Sequence, residues 1–561
     1  MPADTHSGYP FPEDQDLDRT ISYRTPRGLP QAGDQHTRRL PNWPEPEEIG
    51  VGTVPAALPA ALSAAGPAAP LAAPPAGAES APPRRRGRGW IAALVAAVLV
   101  AVVCGGGVWA AAKLSGGGTQ PQDVLPGGAI AYARLDLDPS AGQKLALFSI
   151  ARKFSSTRGS FTGDDPRQAL FTALRQDVKD VAHVDYAKDV EPWLGDRIGV
   201  AVLPPAAKGE EPGVAVAVQV KDEAAARTGL RKLGLEDGAA GLAFRDGYAL
   251  LAQTQKQADA YAQRAPLARD PQFADDLAAL GEPGVLSAWA DLGKIVDASG
   301  AAEEAAVTAL APLRGTRFAG ALRFDGSYAE LTGITRGGAG AGGAKAEPVA
   351  VGSLPDSTVA AASVSGLGEA LGEQWPRIQE AAKASPGAEG FTTFLDQARD
   401  TYGLALPDDL VTLLGKSITV ALDERGLDGD QPGVGAVLTG DPAKAQQVLG
   451  TLEKMLADSG APVQLATASG DGRLVVASTQ EYAGRLAQSG TLGEDETFRL
   501  AVPEAQDATY AFYANLDKIE KLYLGSLQGE ERADAAALRA VGLSGKATGG
   551  EATFTLRVVF N

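Results

Sequence analysis

The feature that most constrains this chain is an internal repeat of roughly 220 to 230 residues. Val124-Leu125-Pro126, followed by the alternating run Ala129 to Leu135, matches Ser353-Leu354-Pro355 and Thr358 to Val364. Trp193 to Val202 matches Leu413 to Leu422, and Pro212-Gly213-Val214 matches Pro432-Gly433-Val434. Gly247 to Thr254 matches Gly472 to Thr479, and Trp289-Ala290-Asp291-Leu292-Gly293-Lys294-Ile295 matches Tyr513-Ala514-Asn515-Leu516-Asp517-Lys518-Ile519. So many pairs in one order mean that the C-terminal part of the chain is built twice. The halves meet at Gly337 to Gly343, which has linker composition.

Within each half, short β-rich runs alternate with amphipathic stretches such as Asp222 to Leu233, Gln255 to Gln263 and Pro442 to Asp458. Leu242-Ala243-Phe244 and Tyr248-Ala249-Leu250 flank Asp246-Gly247, and Asp471-Gly472 repeats the signal, which predicts antiparallel hairpins. The expected fold class is therefore α+β, with two tandem repeated domains, each an antiparallel sheet carrying helices on one face. The expected boundaries are a first repeat over 123–336, a Gly-rich linker over 337–347 and a second repeat over 348–561. The junction between the domains is the default site, on geometry alone.

The region before the repeats reads differently. Residues 1–89 have no hydrophobic periodicity and many prolines among alanines and glycines, the composition of a disordered tail. Residues 90–112 run twenty-three residues without a charge, enough at about 1.5 Å per residue to span a bilayer, so a transmembrane helix is expected there. Arg84, Arg85, Arg86 and Arg88 precede it and set a cytoplasmic N-terminus, and Trp90 and Trp109 sit where interfacial rings would anchor it. Residues 113–122 are a linker, and everything beyond is expected outside the cytoplasm at the cell membrane. Cys104 reads as a small apolar residue of the span, and Ala97, Ala101 and Gly105 form a small-residue ladder of the kind that chance produces often in such a helix.

Composition removes several chemistries. The chain has 561 residues, a net charge of −18, one cysteine and three histidines. The part after residue 112 holds 42 bases against 59 acids, a poor match to nucleic-acid phosphates. A disulfide framework is excluded, as are the usual Cys/His zinc sites, and no cofactor or metal is expected.

The run Val124-Leu125-Pro126 to Ser140, the phrase Trp193-Leu194-Gly195-Asp196-Arg197, and the Arg-flanked apolar segment behind a Pro-rich tail resemble the domain of unknown function 3352 family. The resemblance implies membrane-anchored, extracytoplasmic bacterial proteins with no established activity, so it carries over no catalytic residues. The second repeat departs from the phrase at Leu413-Leu414-Gly415-Lys416.

Candidate chemistry has a bland reading at every position. Asp136 and Asp138 could face one side of a strand as a cation site or acid/base pair, whereas Asp138 before Pro139 also reads as a helix cap, as do Asp165-Pro166, Asp270-Pro271 and Asp441-Pro442. Asp423 to Asp430 looks like a calcium loop, but Arg425 stands where oxygen is needed. Gly366 to Gly372 reads as a strand-to-helix turn with a late third glycine. His183 is the one imidazole after the apolar segment, too little for a triad without a nucleophile elbow. Trp193, Trp289 and Trp375 read as core before groove. No catalytic residue is assigned. The expected function is non-enzymatic binding or scaffolding in the cell envelope, with an unknown protein, lipid or polymer as ligand and no nucleic acid. A carboxylate-dependent hydrolase of envelope polymer and a carrier of a lipid or other apolar molecule are the alternatives.

Overall fold

The structure, a computed structural model, describes residues 118–138, 140–159, 165, 167–168, 171–172, 184–207, 210–234, 240–298, 313–337, 346–383, 388–427, 432–458 and 465–561. All of them fall in one compact unit, Leu58–Asn561. Eight strands come from the first half: β1 (Ala131–Asp136), β2 (Leu194–Leu203), β3 (Gly213–Val220), β4 (Gly241–Arg245), β5 (Tyr248–Ala252), β6 (Leu286–Asp291), β7 (Arg317–Asp325) and β8 (Tyr328–Arg336). Eight come from the second: β9 (Thr358–Ser365), β10 (Ser417–Asp423), β11 (Val434–Thr439), β12 (Ala466–Gly470), β13 (Arg473–Ala477), β14 (Tyr510–Asn515), β15 (Leu538–Thr548) and β16 (Glu551–Phe560).

These strands make a single sheet in the order β12-β13-β11-β10-β9-β14-β15-β16-β8-β7-β6-β1-β2-β3-β5-β4. Read outward from its centre, each half has the same order, and every described pairing is antiparallel. The registers follow the sequence pairs residue by residue. Tyr132 lies opposite Trp289 as Ala361 lies opposite Tyr513, Asp136 opposite Arg197 as Ser365 opposite Ser417, and Val202 opposite Val214 as Leu422 opposite Val434. The two Asp-Gly turns also form as expected. Asp246 and Gly247 have φ of 47° and 78°, and Asp471 and Gly472 have 50° and 70°, the left-handed pair that a two-residue hairpin needs.

Three expectations about the fold are corrected. The halves do not carry separate sheets, because β8 and β16, the last strand of each, pair along nine residue positions and close what would be two open edges. The expected transmembrane helix is not supported either: among the described residues no helix is long and apolar enough to cross a membrane. The longest, Leu367–Lys383 and Pro442–Asp458, have 17 residues each and carry charges along their length, which is the pattern of helices with one apolar stripe. The stretch 90–112 itself lies outside the described residues, together with the tail over 1–89, Arg84, Arg85, Arg86, Arg88, Trp90, Trp109 and Cys104.

Helices cover both faces of the first half rather than one. Phe273, from helix Pro271–Leu280, packs edge-on against Tyr132 at 5.1 Å and Trp289 at 5.4 Å. On the opposite face Val216 and Val218 pack with Ala226 and Leu230 of helix Glu223–Lys232. The second half repeats the first of these layers. Phe498 of helix Glu496–Ala501 meets Tyr513 at 5.1 Å, and Asp495 caps that helix as Asp270 caps the other. Burying such aromatic side chains contributes roughly 1.5–3 kcal/mol each, so the repeated apolar positions hold the repeated fold.

Candidate functional site

The central pairing of β8 with β16 is also the centre of the duplication. Thr332 lies opposite Thr555, and each is the fifth residue of its strand. Their hydroxyls approach to 3.2 Å, and Thr332 Oγ1 also donates to Phe554 O at 3.1 Å. Alternation along the strands puts Tyr328, Glu330 and Thr332 on one face with Thr553, Thr555 and Arg557. Over these residues lies a groove of about 900 Å³, lined by both halves.

One wall of the groove is Arg323 of β7, whose Nη2 donates to Leu280 O at 2.8 Å and Glu282 O at 2.7 Å. From the second half Pro503, Glu504 and Ala508 line the groove, and Ser544 Oγ donates to Pro503 O at 2.6 Å. Glu330, 7% exposed, is held between two guanidinium groups. Arg323 Nη1 donates to its Oε1 at 3.1 Å, and Arg557 Nε and Nη2 reach its Oε2 at 2.9 and 2.8 Å. Arg557 also lies over the Tyr328 ring at 4.2 Å. Burial pushes the Tyr328 phenol up, against the pull of the same arginine. The acid at this floor is thus engaged on both oxygens, and the cluster joins one half to the other.

The residues singled out in the sequence fall elsewhere. Asp136 is buried, with Arg134 Nη2 at 2.5 Å and Arg197 Nε at 3.6 Å, while Asp138 faces Lys144 Nζ at 3.0 Å, so the two do not act as a pair. Burial pushes the Asp136 carboxyl up, opposed by Arg134 and then Arg197. Asp138 is not the cap of the following helix, Ala141–Ala151; Ser140 is, accepting from Gln143 N at 3.4 Å. The capping reading holds at Asp270 and Asp441, and Asp165 accepts from Arg167 N at 2.9 Å. Asp423 is fully buried against Arg485, and Glu424 meets Lys518 at 3.1 Å, so this segment begins as an ion-paired strand end; Asp428 and Asp430 lie outside the described residues.

Gly366, at φ 77°, turns the chain from β9 into helix Leu367–Lys383. Trp193 and Trp289 are buried, donating to Asp189 O at 2.6 Å and Asp276 Oδ2 at 2.9 Å, and Trp375 stands beside Phe391. None of the three lines the groove. His183 lies outside the described residues. Among the described residues no group of three His, Cys, Asp or Glu side chains could hold a metal ion.

Arg323, Glu330, Arg557 and the two threonines were not singled out in the sequence. The available signal was charge inside the last hairpin of each repeat, at strand positions where the other side chains are apolar or hydroxylic. No curated protein and no solved structure matches this chain. A family comparison does match, over residues 92–257, a stretch that includes β1 to β5 and stops inside helix Gln255–Gln263. Over that stretch the chain is similar to the family described as protein of unknown function DUF3352.

Proposed function

We propose that this chain is a non-enzymatic binding protein that takes a polar ligand in the groove over the β8–β16 seam. The observation that carries the reading is that both halves line one groove of about 900 Å³, a size suited to a ligand rather than to a few waters. Hydroxyls of Thr332, Thr553 and Thr555 and the edge of Tyr328 favour a hydrogen-bonding ligand, such as a polymer segment, over a lipid chain. Glu330, tied to two arginines, is not free to exchange protons, so hydrolysis would have to rest on the other carboxylates that line the groove, Glu282, Asp325 and Glu504. The same proposal sets the two halves outside the cytoplasm, which protease added to intact cells tests directly.

The binding test is native mass spectrometry of the full chain recovered from its own cells, compared with Thr553→Trp, which fills the groove. A copurifying mass present in the wild type and lost in the variant is the expected result. No bound mass, or a mass that survives Thr553→Trp, defeats the reading. Release of shortened polymer fragments by the wild type would favour a hydrolase, and an aliphatic ligand would favour a carrier.

A further inference from the structure

The sheet is open, so its outermost strands β4 and β12 turn backbone N–H and C=O groups toward solvent, where another strand could add. In β4 the hairpin with β5 closes at Arg245 opposite Tyr248, and antiparallel alternation leaves Leu242 and Phe244 as the residues whose backbone groups point outward. Leu242 is already taken. Gln255 Oε1 accepts from Leu242 N at 3.0 Å and Gln255 Nε2 donates to Leu242 O at 3.0 Å, the two bonds that a neighbouring strand would make. Gln255 Nε2 also donates to Asp259 Oδ1 at 2.8 Å, which fixes the orientation of the amide.

The second half has the same device in weaker form. Gln480 follows the capping Thr479 as Gln255 follows the capping Thr254, and its Nε2 donates to Thr467 O at 3.3 Å. Thr467 is the second residue of β12, as Leu242 is of β4. Gly241 accounts for the closer fit in the first half. A Cβ there would lie 2.1 Å from Thr254 O, so only glycine lets the strand come this near the helix start, whereas Ala466 begins β12.

We propose that Gln255 and Gln480 are edge plugs, side-chain amides that occupy the hydrogen-bonding positions through which a second copy of this chain would add its own edge strand. The β12 edge, closed by one bond instead of two, is the weaker end. The plug is separable from the groove, because β4 and β12 are the two strands farthest from the seam.

Full-length wild type, Gln255→Ala and Gln255→Ala/Gln480→Ala are compared in one buffer by hydrogen exchange and by mass photometry over a concentration series. Loss of one backbone-like bond is expected to speed exchange at Leu242 roughly tenfold in Gln255→Ala. The double variant is expected to grow in mass with concentration beyond the wild type. Unchanged exchange at Leu242, or a double variant that tracks the wild type in mass, overturns the proposal. Gln480→Ala alone guards against misfolding as an explanation: it leaves Gln255 and its two bonds to Leu242 in place and is expected to stay within about twofold of wild-type exchange there.

Discussion

The two halves share strand order and register, yet they bury different charges. In the first half Arg134, Asp136 and Arg197 form an ionic cluster beneath helix Pro121–Val124; at the same places the second half has Ser363, Ser365 and Ser417. Ser363 there bonds Thr419 at 2.6 Å. Conversely, the second half buries Asp423 against Arg485, where the first has Leu203 and Ala260. A sheet that forms equally well around either set is not held together by its ion pairs. The shared elements are the apolar alternation, the Asp-Gly hairpins and the capped helices with their buried phenylalanines. This agrees with the general cost of burying charge, where desolvation cancels much of the attraction.

The largest effect is expected where one ion would be stranded. Asp423→Ala leaves the partly buried Arg485 without its carboxylate and should cost about 3–5 kcal/mol in urea unfolding. Asp423→Leu with Arg485→Ala, which copies the first half, should recover most of that loss. If the double variant is as unstable as the single one, the halves are not interchangeable at this place.

Next comes the seam. Glu330→Ala sets Arg323 and Arg557 against each other, though both can reach the solvent of the groove, and should cost about 2 kcal/mol. A smaller loss, about 1 kcal/mol, is expected for Thr332→Val, and adding Thr555→Val should cost less than a second increment because both partners of one contact are then apolar. Additive losses would show that the two hydroxyls act independently.

The smallest effect concerns Asp136 and pH. Its folded pKa lies above the ordinary carboxylate value, so its contribution to stability is fully present below about pH 4 and is lost as pH rises through the raised folded value. Asp136→Asn removes that titration. The stability of the wild type relative to Asp136→Asn should therefore fall as pH rises through that range. A difference that grows with pH would mean that the arginines outweigh burial, and that the first-half cluster is a stabilising feature the second half lacks.

The candidate site was much less legible than the strands. Asp246-Gly247 and Asp471-Gly472 could be placed from sequence because the φ > 0 requirement is local, and Trp289 could be matched to Tyr513 because apolar spacing survives duplication. Glu330 could not be matched to Arg557, because 227 residues separate them and their meeting depends on which strand of each half lies at the edge. Asp138 misled for a related reason. Asp-Pro is a good cap signal, but Ser140, two residues on, competed for the same helix start and took it.

The sequence by itself determined that this chain repeats, which residues alternate into its core and where its tight hairpins turn, since each is fixed by local backbone sterics or by the period of apolar side chains. The tertiary structure alone decided that the two repeats share one sheet. Pairing of β8 with β16 rests on satisfying backbone groups at two open edges, and those groups are the same for every residue, so the side-chain pattern does not mark the partner. The groove exists only because of that choice.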